Sequence, residues 1–365
     1  MSNVLVLGAG KIGFAVAHML IGSGDYQVTL SDAVADGADL AEKHSIPYLD
    51  LDVTDAEALG QALGGRDVVV SALPYYLDII VAEAAAALGV HYFDPTEDVQ
   101  TARRIRTISE TADTVFVPQC GLAPGFIAIV AYHLMGKFDQ PHDVKLRVGA
   151  LPKYPDNALK YNLTWSTDGL INEYCNSCEA IYQGERREVL PLEGLEHFSL
   201  DGARYEAFST SGGIGSLCET LDGKVQNLNY KTVRYPGHRD MIKMLADDLN
   251  LCARRDVFKD VIEHGIPFTD QDVVIIFVTV TGMRDGSLTQ ETYATKIYGS
   301  SGDGETSEGG KWSAIQLTTA SAICAMVDLQ RGGMLPSSGF VKQEDVNFED
   351  FIANRFGRVY AKKQS

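Results

Sequence analysis

A glycine-rich hexapeptide, Gly8-Ala9-Gly10-Lys11-Ile12-Gly13, follows directly on the apolar run Val4-Leu5-Val6-Leu7. Few patterns this short restrict a fold so strongly, because each glycine answers a separate steric demand. Between a strand and a helix, Gly8 permits a tight turn and Gly10 leaves room for a pyrophosphate beside the backbone. Gly13 lets the helix lie close on the sheet. The helix expected over residues 12–22 offers its first N–H groups, around Lys11 and Ile12, carrying about half a positive charge. Asp32 closes the next apolar stretch, where a carboxylate binds both ribose hydroxyls and repels a 2′-phosphate. Neither Lys nor Arg occurs in residues 33–42 to offset that repulsion. The pattern points to NAD in preference to NADP.

The alternation continues through the first third of the chain. Strands are expected at 4–7, 27–31, 47–50, 68–71, 91–94 and 114–117, with helices at 12–22, 35–44, 55–63, 77–88 and 101–112. This is the signature of an α/β, doubly wound parallel sheet of the Rossmann kind. After Pro124-Gly125 the pattern changes. Strands at 145–150, 187–191, 205–209, 273–281 and 289–298, with helices at 239–249 and 257–263, read as an inserted α+β domain. Residues 299–310 read as a loop, and a helix over 312–329 is expected to return to the first domain. A chain of 365 residues is long for one core. The expected division is 1–122 plus about 311–365 for the dinucleotide domain, and 123–310 for substrate binding and dimerisation.

Ligands of open α/β sheets lie outside the carboxyl ends of the strands. Ala72, Leu73 and Pro74, after strand four, fall where a nicotinamide ribose passes. Asp52 and Val53, after strand three, are candidates for the adenine side, although Asp52 also suits the start of a helix before Thr54-Asp55.

Other features exclude function classes. The net charge of −18 argues against nucleic acid, since phosphate binding needs a basic face. No apolar run is long enough for a membrane span, and the N-terminus lacks a basic signal-peptide region, so a cytoplasmic protein is expected. Six cysteines are too sparse for a disulfide framework. Cys175 and Cys178 form a lone CxxC with no second ligand pair, so no metal site is expected, and they read as two cysteines on one helix face.

Several segments together resemble the saccharopine dehydrogenase-like family, and within it the lysine 6-dehydrogenase branch. They are Gly8–Gly13, Ser71-Ala72-Leu73-Pro74-Tyr75-Tyr76, Cys120-Gly121-Leu122-Ala123-Pro124-Gly125 and Tyr161-Asn162-Leu163-Thr164-Trp165-Ser166. Thr210-Ser211-Gly212-Gly213, Thr232-Val233-Arg234-Tyr235-Pro236-Gly237-His238 and the tail from Gly339 to Val346 continue the likeness. The resemblance implies a Rossmann domain completed by a returning C-terminal helix, and an inserted domain that dimerises and covers the substrate. It also implies oxidation of a carbon–nitrogen bond in a lysine-like amino acid, with NAD accepting hydride. Saccharopine or carboxynorspermidine dehydrogenase chemistry, run reductively, is the alternative. A non-catalytic NAD-binding regulator is a third reading.

Amine oxidation needs a proton acceptor, an oriented carbon and a cation for the amino-acid carboxylate. Arg234 has the planar fork for that carboxylate, with His238 beside it. Asp94, at the end of a strand, is a candidate to bind or deprotonate the ammonium, or else a turn residue before Pro95. Tyr75 or Tyr76 is expected beside the nicotinamide, and Cys120 is a further candidate there. Asn162, Trp165 and Ser166 are expected to line the substrate pocket from the inserted domain. A homodimer or higher homo-oligomer is expected, with no nucleic-acid or membrane partner.

Overall fold

The computed structural model describes residues 1–300 and 312–361. It divides into two compact units. The first comprises Met1–Phe126 and the chain from Gln316 onward, and the second comprises Ile127–Ser300 with a short piece ending at Ile315.

The first unit opens with β1 (Ser2–Leu7), α1 (Lys11–Gly22), β2 (Tyr26–Asp32), α2 (Ala35–Lys43), β3 (Tyr48–Asp50) and α3 (Ala56–Leu63). It continues with β4 (Val68–Ser71), α4 (Tyr75–Leu88), β5 (His91–Phe93), α5 (Val99–Ser109) and β6 (Val115–Val117). The strands of this unit lie in the order β3, β2, β1, β4, β5, β6, all parallel. Both faces are covered by helices, so a strand such as Val68-Val69-Val70-Ser71 is buried at every residue and reads as an unbroken apolar run. Leu5, Leu7, Val69, Val81, Tyr92 and Phe116 form its core.

The second unit holds α6 (Phe126–Met135), β7 (Gln140–Pro152), α7 (Thr167–Cys175), β8 (Cys178–Tyr182), β9 (Glu185–Val189), β10 (Glu196–Leu200) and β11 (Ala203–Ser209). Then follow α8 (Leu217–Thr220), β12 (Asn227–Arg234), α9 (His238–Lys243), α10 (Arg255–Gly265), β13 (Asp272–Arg284) and β14 (Ser287–Tyr298). Its sheet runs β10, β11, β12, β7, β13, β14 and is mixed, since β12 and β7 are parallel while β7 and β13 are antiparallel. A hairpin of β8 and β9 branches from β12.

The chain then re-enters the first unit through α11 (Ala314–Arg331), which packs on α1: Cys324 Sγ lies 3.8 Å from the Val16 carbonyl. Beyond it, β15 (Gly339–Phe340) adds a seventh parallel strand beside β6, which the sequence pattern did not predict because two residues carry no periodicity. Helix α12 (Phe348–Ala353) follows, and Phe351 and Tyr360 pack on Phe126. Most of the expected loop at 299–310 lies outside the described residues.

The cysteines differ from expectation. Helix α7 ends at Cys175, Asn176 adopts an extended conformation, and Cys178 opens β8, so the two do not share a helix face. Cys175 is instead bonded to Cys252, 77 residues away.

Candidate functional site

In the first unit the glycine loop is held from three sides. Gly8 has φ +95, and a Cβ there would meet the Ala72 carbonyl oxygen at 2.6 Å. At Gly13 a Cβ would fall 1.8 Å from the Gly8 carbonyl oxygen. Around Gly10, by contrast, a Cβ would meet nothing within 4 Å, so the face at the start of α1 is open. No side chain caps α1 and no acid sits in its first turn, which leaves its N–H groups to an anion. Lys11 is exposed beside them, and its carbonyl accepts from Gln316 of α11.

Asp32 ends β2. Its Oδ2 accepts from the Ala9 N–H at 2.7 Å and its Oδ1 from Val34 N–H at 3.1 Å. The carboxylate is thereby fixed against the glycine turn. Asp52 is exposed and spends its carboxylate on the N–H and hydroxyl of Thr54, while Asp55 caps α3. Val53 places its side chain in the core. These two candidates for the adenine side are therefore engaged in turn formation and packing.

Across the sheet, Ala72 and Leu73 are half-buried in the turn after β4 and Pro74 caps α4. Tyr75 and Tyr76 form its first turn, one half-buried and the other 60% exposed, their rings 5.7 Å apart. Asp94 follows β5 and is fully buried. Its Oδ1 accepts from Thr96 N–H at 2.7 Å and Gln119 N–H at 3.2 Å. Gln119 holds a left-handed φ of 60, which turns its N–H toward the carboxylate. Oδ2 makes no well-aligned hydrogen bond among the described residues, nor does the neighbouring Tyr92 hydroxyl. Burial raises the Asp94 pKa to about 6, with the backbone bonds from Thr96 and Gln119 and the adjacent Tyr92 hydroxyl acting against it. Cys120 donates its thiol to the Asp94 carbonyl at 3.1 Å. Burial and the Asp94 charge push this thiol far above its ordinary range, so it is held as a thiol and not as a nucleophilic thiolate.

The residue that sequence reasoning missed here is Asp78, in the first turn of α4. It is 1% exposed and accepts from the Ser71 hydroxyl at 2.6 Å. Burial and the Asp94 charge raise its pKa well above the usual carboxylate range. In sequence it looks like any acid that complements a helix N-terminus.

The second unit contains a different constellation. Arg234 ends β12 and is 2% exposed, not on a surface loop. Its Nε donates to the Tyr174 hydroxyl at 3.2 Å, and Nη1 to Thr232 Oγ1 and the Val233 carbonyl, both at 2.9 Å. Nη2 stands 3.6 Å from Glu173 Oε2, and the Tyr161 ring lies 4.9 Å under the guanidinium. A two-toothed grip on a carboxylate through Nε would displace Tyr174, and one through Nη2 would compete with Glu173. His238 bridges the Tyr174 hydroxyl at 3.0 Å and the Leu159 carbonyl at 2.9 Å. Burial, then the Arg234 charge, lowers its pKa to about 3 and keeps it neutral.

Asn162 is buried, with Nδ2 on Asp156 at 3.3 Å and Oδ1 without a well-aligned partner. Among the described residues the Thr164, Thr167 and Thr210 hydroxyls and Asn172 Nδ2 are likewise buried without one. Trp165 is half-buried against the unit's core. Ser166 is exposed, and its hydroxyl caps α7 by accepting from Gly169 N–H at 3.2 Å. The structure thus joins Arg234 and His238 through Tyr174, which sequence reasoning did not single out. Trp165 and Ser166 serve packing and capping.

A glycine turn, an open helix N-terminus and an acid at the end of β2 define a dinucleotide-binding Rossmann domain. The profile of the saccharopine dehydrogenase NADP binding domain matches residues 4–116, and that of the saccharopine dehydrogenase C-terminal domain matches residues 121–358. The chain belongs to the saccharopine dehydrogenase family. It is 26% identical over 261 residues to the NADP(+), L-glutamate-forming saccharopine dehydrogenase of Saccharomyces cerevisiae, covering 67% of this chain and 57% of that protein. It is 24% identical over 322 residues to the mitochondrial alpha-aminoadipic semialdehyde synthase of Bos taurus, covering 81% of this chain and 33% of that one. The chain therefore spans between a third and somewhat more than half of these relatives. The apo structure of the yeast L-Glu-forming enzyme shares the fold, with a TM-score of 0.77 at 17% identity, over 99% of this chain and 96% of that one.

Proposed function

We propose that this chain is an NAD-dependent oxidoreductase that removes hydride from the amine-bearing carbon of a lysine-like amino acid, in the manner of a lysine 6-dehydrogenase. The observation that carries the cofactor half is the Asp32 carboxylate, fixed by Ala9 and Val34 at the end of β2. A ribose diol can donate its hydroxyls to the remaining lone pairs of that carboxylate, whereas a 2′-phosphate would meet a charge that is bonded in place. Gly8, Gly10 and Gly13, the N–H groups of Lys11 and Ile12, and the turn at Ala72, Leu73 and Pro74 would hold the dinucleotide, which when bound accepts the hydride. Asp94, ionised above about pH 6, receives the ammonium proton at Oδ2. The amine lone pair then expels hydride from its carbon, and water hydrolyses the resulting imine to aldehyde and ammonia. Arg234 offers Nη2 to the substrate carboxylate in exchange for Glu173, Asn162 is a further polar contact for the substrate, and His238 positions Tyr174. The second unit takes the substrate and pairs with a second copy.

A second reading is NADPH-linked reductive C–N bond formation of the saccharopine or carboxynorspermidine type. It is favoured by the description of the matching domain and by the NADP(+) in the yeast relative's name. To test both, the purified protein is incubated with NAD or NADP and with lysine, ornithine or saccharopine, following reduced nicotinamide and ammonia together. Lysine with NAD is expected to yield both products in equal amounts. Turnover of saccharopine with NADP and none of lysine would establish the second reading.

A further inference from the structure

Two buried carboxyls stand at the carboxyl ends of adjacent strands in the first unit. Asp78 is 1% exposed and Asp94 fully buried. The charges acting most strongly on Asp78 are themselves carboxyls: Asp94, Glu97 and Asp98. Tyr92 of β5 and Cys120, backed by Cys324 of α11, are weak acids facing Asp94. On the flanks, Arg104 of α5 pairs with Glu83 in solvent, and Glu57 of α3 is exposed and bonded to Gln61. Among the described residues no cation pairs with Asp78 or Asp94, and two neighbouring buried acids so placed share one proton, because a second buried charge costs several kcal/mol. The backbone bonds divide the roles. Asp94 receives two N–H donors and is the better anion, whereas Asp78 receives one hydroxyl, from Ser71. Ser71 leads into Ala72, whose carbonyl occupies the position that a Cβ of Gly8 would need. Asp78 therefore underlies the turn that abuts the glycine loop.

We propose that Asp78 is held as a neutral acid beneath the dinucleotide site, and that its ionisation weakens dinucleotide binding. The phosphates of a dinucleotide are anionic and the whole chain is acidic. A neutral Asp78 spares the site one further negative charge, and its loss of a proton supplies it. Affinity is therefore full at low pH and falls as pH rises through the Asp78 titration. The inference rests on dinucleotide binding and not on the substrate, so it stands or falls whether or not any amine is oxidised.

The test combines infrared spectroscopy with calorimetry on the full chain. In a pH titration upward from the range where an ordinary aspartic acid is already ionised, the wild type should keep a carboxylic-acid C=O band that is missing in Asp78→Asn. In Asp94→Asn the band should titrate away at least about one pH unit lower, because the neighbouring charge is gone. The Kd for NAD should rise about tenfold across the wild-type titration and stay flat in Asp78→Asn. Absence of the band in the wild type, a band unmoved by Asp94→Asn, or a parallel loss of NAD affinity in wild type and Asp78→Asn would each overturn the proposal. The Asp94→Asn spectrum keeps the test open should Asp78→Asn fail to fold.

Discussion

The two units place buried charge in opposite ways. In the first, the glycine turn, the start of α1 and one carboxylate come from the first 34 residues and abut the turn after β4, and the acids beyond β4 and β5 stand among other acids. In the second, a cation is buried among tyrosines, a neutral histidine and Glu173, brought together from α7, β12, α9 and the segment before α7. Local geometry makes one site. Long-range packing makes the other. Damage to the first should therefore cost ligand affinity, and damage to the second should cost stability.

The largest effect is expected from Gly13→Val. Its Cβ would lie inside the Gly8 carbonyl, and the helix would have to leave the sheet. Dinucleotide binding should vanish in calorimetry, with a loss of several kcal/mol on urea unfolding. Arg234→Ala should cost about 3–5 kcal/mol, because it strips a buried carboxylate of its guanidinium neighbour. Hydrogen exchange should locate that loss in the second unit, and an undisturbed second unit would break the comparison. Cys252→Ser should follow with about 2–4 kcal/mol, seen as a lower Tm that excess reductant reproduces in the wild type.

Asp32→Ala removes two charge-assisted bonds to the loop and the ribose acceptor. NAD affinity should fall about ten- to a hundredfold, while NADP affinity falls less or improves. The smallest effect separates the units by pH. The His238 pKa is lowered to about 3, so its contribution to stability is full above the unfolded value near 6.5 and is lost as pH falls toward 3. The Asp94 pKa is raised to about 6, so its contribution has the opposite sign and declines as pH rises from about 4 to 6. Acidification from about pH 6.5 to 4 should thus raise exchange rates around α9 and β12 and lower them around β5.

The contrast also explains what was legible beforehand. The glycine turn, Asp32 and the helix and strand sequence of the first unit follow from residues close in the chain; the structure lengthens β1, β2, α1 and α4, trims β3, β5, β6, α2 and α3, and shifts α5 toward the N-terminus. The Arg234 network does not announce itself, because its members lie up to 77 residues apart, as between Tyr161 and His238, and each alone resembles a core aromatic or a surface charge. Residues 227–232 alternate half-buried and buried positions, a strand signal that was present in the sequence. Asp78 was hidden for the opposite reason, since an acid in a first helical turn is ordinary. The CxxC at 175–178 misled because spacing cannot show that the helix breaks at Asn176.

The most direct measurement is the ratio of kcat/KM for lysine oxidation with NAD to that with NADP. The locked carboxylate of Asp32 predicts that NAD is favoured by at least about tenfold, one repelled phosphate's worth of discrimination. Equal or better turnover with NADP would contradict the account at its centre.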